Sequence, residues 1–85
     1  MNTTKRGTEL EIRVEEYLKK LVENDELPGT SSKRSKVFRQ KQYVDSEGRK
    51  YNLDVTIETY LNQDFQDRGE WSQLMVFECK NYSHK

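Results

Sequence analysis

The chain has 85 residues, 32% hydrophobic and 35% charged, and its 15 basic and 15 acidic side chains cancel. That length holds one small domain, 1–85, with a modest core, and no run approaches the roughly 20 apolar residues of a membrane-spanning helix. No hydrophobic stretch follows the basic residues of the opening MNTTKRGTELE to make a secretory signal, and the lone Cys79 excludes an internal disulfide; both point to a reducing, cytoplasmic setting.

The first predicted element is an amphipathic helix over about 8–24. Leu10, Val14, Tyr17, Leu18 and Leu21 recur at helical spacing, with Glu9, Arg13, Glu16, Lys19 and Lys20 on the other faces. Thr8 and Glu11 fit a capping box, and Pro28-Gly29 followed by serines stops the element.

From Lys36 the period changes to two. A strand over 36–44 is expected to carry Val37 and Tyr43 on one face and Phe38 and Val44 on the other. DSEGRK reads as a turn, and a strand over 51–60 follows, with Leu53, Val55 and Ile57 on the apolar face and Asn52, Asp54, Thr56 and Glu58 on the polar one. The polar stretch LNQDFQDRGEWSQ connects to a third strand over 73–82, whose run Leu74-Met75-Val76-Phe77 suits a central position covered on both faces. The expected fold is α+β: one helix on a three-stranded mixed or antiparallel sheet, in the order αβββ.

The charges are unevenly spread. Residues 31–50 hold seven basic side chains against two acidic ones. Lys33, Arg34, Lys36, Arg39 and Lys41 from this stretch are the candidate contacts for nucleic-acid phosphates. Phe65, Trp71 and Tyr82 suit packing or partner contacts. The last strand bears Glu78-Cys79-Lys80, and its period places Glu78 and Lys80 on one face. If this strand pairs with the second, Asp54 and Glu78 converge on oxygen coordination suited to Mg²⁺, with the Cys79 carbonyl as a further ligand. Lys80, about 6–7 Å along the strand from Glu78, is placed to orient or help deprotonate a metal-bound water, or to balance charge on an attacked phosphate.

Glu11 in GTELEIRVEEYL, Asp54 in YNLDVTIE and Glu78-Cys79-Lys80 together resemble the PD-(D/E)xK nuclease superfamily, with its restriction-endonuclease-like fold. The style is closest to Mrr-type restriction enzymes and Holliday-junction resolvases, which makes a prokaryotic or phage context plausible. The resemblance implies Mg²⁺-dependent hydrolysis of DNA, with Mn²⁺ able to substitute. Asp54 and Glu78 would be catalytic metal ligands, Lys80 the catalytic lysine, and Glu11 the helix acid that some members use to hold a metal-bound water. That family's core normally continues with another helix and strand. Without them a sheet edge is bare, which implies a fragment or a homodimer. The alternative is a catalytically inactive nuclease-like module for nucleic-acid binding or protein assembly. A scaffold for a small inhibitor or antirepressor, with no metal site, is a third reading.

Overall fold

A computed structural model of the chain describes residues 3–79, with side chains from residue 8 onward. Its elements run α1 (Thr3–Glu23), β1 (Ser35–Val44), β2 (Lys50–Thr59), a short α2 (Gln63–Asp67) and β3 (Gln73–Phe77). The three strands form one antiparallel sheet in the order β1-β2-β3, and α1 packs on one face of it. The expected αβββ layout is therefore the observed one.

Leu18 and Val22 of α1 are buried against Val55 and Ile57, with Val14, Leu21, Leu27, Val37, Met75, Phe77 and Cys79 packed around them. Tyr17, grouped with this stripe by its spacing, is 63% exposed instead. The helix begins five residues before Thr8, because nothing from Thr3 to Thr8 breaks it except Gly7, whose cost of about 1 kcal/mol a long helix absorbs. Thr8 therefore lies inside the helix rather than capping it. The C-terminus closes earlier than Pro28. Asp25 adopts a left-handed φ of 55°, and the amides of Asp25 and Glu26 donate to the carbonyls of Val22 and Leu21. This is a Schellman closure. The Asp25 carboxylate also accepts hydrogen bonds from the Ser32 amide and hydroxyl, tying the next loop to the helix end.

Gly29, in that loop, has φ +86°, and a methyl group there would lie 3.2 Å from Met75 Cε and 3.3 Å from Gln73 Nε2. Gly48, in the hairpin turn, has φ +83° with open space around it. Gly48→Ala therefore measures the backbone cost alone, about 1 kcal/mol, and Gly29→Ala adds the displaced β3 side chains, for about 2 kcal/mol in total. Urea midpoints of the two variants check this; equal losses would show that β3 yields freely to the added methyl.

Asp45 builds the hairpin turn: its Oδ1 accepts from the amides of Glu47 and Arg49, and its own amide donates to the Arg49 carbonyl. The resulting register pairs Val37 with Ile57 and Tyr43 with Tyr51, and it is continuous apart from Gln40 and Asp54. Gln40 has φ 56° there.

Side chains change faces across this gap. Val37 packs toward α1, whereas Phe38, Lys41 and Tyr43 lie together on the opposite face. Val37 and Tyr43 thus do not share a face, contrary to strict alternation. Leu53 likewise leaves the Val55–Ile57 side and joins Tyr43, Tyr51, Leu74 and Trp71 around an open groove. The central strand is β2, not β3. Met75 and Phe77 pack inward while Val76 is 45% exposed, so the continuous apolar run belongs to an edge strand covered on one side.

Candidate active site

The end of the sheet beyond the gap gathers most of the residues singled out for chemistry. Asp54 follows Leu53 where the ladder is interrupted, and its Oδ2 accepts a hydrogen bond from the Cys79 amide at 2.9 Å. Cys79 lies two residues past the end of β3 and packs against the core. Glu11, on the sheet-facing side of α1, is only 9% exposed. Its Oε1 accepts from Gln40 Nε2 at 2.8 Å and lies 3.6 Å from Arg39 Nη1, while Arg39 Nε reaches Glu15 at 3.5 Å. Burial pushes the Cys79 thiol up, and the nearby charges of Asp54 and then Glu11 push it further. The helix acid, the β2 aspartate and the middle residue of Glu-Cys-Lys therefore share one neighbourhood.

Glu78 stands between Phe77 and Cys79, which both pack inward, and it is exposed. Lys80 lies outside the described residues, as does Tyr82; the strand expected to reach residue 82 ends at Phe77, because the pairing with β2 stops there. Among the described residues, no three His, Cys, Asp or Glu side chains are grouped closely enough to hold a metal ion. The acids near Cys79 are Asp54 and Glu11, oxygen donors of the kind a hard cation takes together with water and phosphate.

The basic candidates divide. Lys33, Arg34 and Lys36 are exposed. Arg39 points to the helix acids, and Lys41 forms an ion pair with Glu58 on the other face of the sheet. Arg39 and Lys41 thus lie on opposite faces and are each engaged by carboxylates, which leaves the exposed Lys33, Arg34 and Lys36 as the phosphate candidates of the five.

A second polar cluster arises where a solvated strand face was expected. Thr56 and Glu58 are 0% exposed. Glu58 Oε2 accepts from Lys41 Nζ and from the Tyr43 hydroxyl at 2.7 Å, and Oε1 accepts from the Tyr60 hydroxyl. The Tyr43 hydroxyl also meets Thr56 Oγ1 at 2.8 Å. Burial alone would raise the Glu58 pKa, but hydrogen bonds from Lys41, Tyr60 and Tyr43 and the Lys41 charge outweigh it and hold the carboxyl below its ordinary value. Burial pushes the Tyr43 hydroxyl up to about 12, with Glu58 adding to the rise, and burial then Glu58 raise Tyr60. The available signal was the setting of Glu58 between Ile57 and Tyr60 in a β-branched run, an expensive place for an unpaired charge.

No protein-family model, curated protein or solved structure matches the chain.

Proposed function

We propose that the chain is a Mg²⁺-dependent endodeoxyribonuclease with a site of the PD-(D/E)xK kind. The observation that carries this reading is the hydrogen bond from the Cys79 amide to Asp54, which ties the β2 acid to the Glu-Cys-Lys segment on the side where Glu11 lies. In this reading Asp54 and the Cys79 carbonyl would hold the cation, and Glu78, exposed beyond the end of β3, would turn inward to complete the set. When bound, Mg²⁺ supplies charge stabilisation at the phosphate and a more acidic water. Glu11 orients the attacking water, and Lys80 donates to the phosphate oxygen on which negative charge grows. Lys33, Arg34 and Lys36 are the exposed cations assigned to backbone phosphates.

Relaxation of supercoiled plasmid in Mg²⁺ or Mn²⁺ tests this. Asp54→Asn keeps an oxygen for the Cys79 amide while removing the charge, so the fold should survive, and cleavage should fall by roughly 100-fold. Lys80→Ala should fall comparably. Cleavage by both variants at the wild-type rate would remove the assignment.

A second reading is favoured by the lack of a three-ligand group among the described residues: a nuclease-like module that binds nucleic acid without cutting it. It predicts that wild type retards DNA equally in EDTA and in Mn²⁺, with no product after long incubation.

A further inference from the structure

Gln40 is an unusual residue for its place. It sits inside β1 with φ 56°, a left-handed conformation that glycine adopts freely and that costs a residue with a β-carbon. It is also the point at which the β1–β2 ladder is interrupted, opposite Asp54. A glycine would meet the backbone requirement without strain. What glutamine adds is its side-chain amide, which donates to Glu11 Oε1 at 2.8 Å. Arg39 approaches the same oxygen, at 3.6 Å, and continues to Glu15.

We propose that Gln40 is a positioning residue: its left-handed turn opens the sheet beside Asp54, and its amide fixes the Glu11 carboxylate toward the Asp54–Cys79 end. This rests on the nuclease reading for what Glu11 is positioned to do. Three features of one residue converge on one place. The backbone turn interrupts the ladder at Asp54, the side chain spans from β1 to α1, and the acid it meets is nearly buried. A strained backbone position held beside Glu11 and Asp54 is the kind of feature that clusters at pre-organised sites. Gln40 acts through Glu11 and is not assigned a contact with substrate.

The test is Mn²⁺ binding by calorimetry, with thermal melting, on wild type, Gln40→Gly, Gln40→Asn and Gln40→Ala. Glycine and asparagine both tolerate the left-handed backbone, but glycine has no amide, and that of asparagine is one methylene too short. Both should bind Mn²⁺ roughly 10-fold more weakly. Gln40→Gly should melt within a few degrees of wild type, because relief of the backbone cost offsets the lost hydrogen bond. Gln40→Ala loses the bond without that relief and should melt lower. If wild type binds Mn²⁺ and the glycine and asparagine variants bind equally well, the positioning role is overturned while the nuclease reading stands. If wild type binds no Mn²⁺, both are overturned. A variant that melts lower yet keeps full affinity assigns Gln40 a structural role only.

Discussion

Glu58→Ala is expected to destabilise the protein by about 3 kcal/mol, because it strips a fully buried carboxylate from three donors at once. The Tyr60 hydroxyl loses its acceptor in the interior, while Tyr43 keeps Thr56 Oγ1 as a partner. The Lys41 side chain is 35% exposed and can turn to water, so it contributes less to the loss. The same reasoning orders the partners. Tyr60→Phe leaves Glu58 with one donor fewer and should cost about 1–2 kcal/mol. Lys41→Met keeps the stem over the Phe38 ring, where Nζ sits 4.1 Å from the centroid, but it leaves the fully buried Glu58 carboxylate without its cation, so its cost should exceed that of Tyr60→Phe. Equilibrium urea unfolding of the three variants checks the order. A Glu58→Ala loss under about 0.5 kcal/mol would mean that the cluster does not hold the far face together.

The cluster also sets the pH response. The Glu58 carboxyl is held below its ordinary value of 4.5 in the folded chain, so the unfolded chain takes up the proton first as pH falls. Its stabilisation is present above pH 4.5 and is lost as pH drops through the lower folded value. Tyr43 behaves oppositely: its hydroxyl is raised from 10.0 to about 12, so the unfolded chain ionises first as pH rises. That contribution is whole below pH 10 and declines as pH climbs toward 12. Tyr43→Phe should flatten the alkaline limb, and Glu58→Gln the acid one.

The legible parts of the fold were those that local chemistry dictates. The spacing of Val14, Leu18 and Leu21 reads as one face of a helix, and Asp45 with Gly48 marks the hairpin turn between two strands. β2 and β3 are neighbours, as expected, and Asp54 meets the Cys79 amide, whereas Glu78, expected beside it, is exposed between two residues that pack inward. Three features were hidden. A continuous apolar run such as Leu74–Phe77 reads alike for a central strand and for an edge strand with one covered face. The left-handed turn in β1 falls on glutamine, so the usual glycine signal is missing. That turn then moves Tyr43 and Lys41 to the other face, and no strict period-two reading of β1 can place them around Glu58. The hidden features share a cause: each depends on the partner strand or on a single backbone angle, not on residue type.

Ile57→Ala is expected to cost about 3 kcal/mol, and Ile57→Val about 1 kcal/mol. Ile57 is fully buried near the C-terminal end of the central strand β2, paired on one side with Val37 and on the other with Met75, and it packs with Leu18 and Val22 of α1. The described hydrophobic core is small: Leu18, Val22, Val55, Ile57 and Tyr60 are its buried members. A chain of this length has about 4–13 kcal/mol of stability in all, so the alanine variant should lose a large fraction of it. Melting should drop by roughly 15 °C, measured by circular dichroism. The consequence reaches the candidate site, because the same packing seats Val55 beside Asp54 and holds α1, with Glu11, over the sheet. The valine variant should therefore keep wild-type Mn²⁺ affinity at 25 °C while the alanine variant loses it in step with its unfolded fraction. An alanine variant that melts within 3 °C of wild type would show that α1 does not close over β2 at this point, and the shared neighbourhood of Glu11, Asp54 and Cys79 would lose its support.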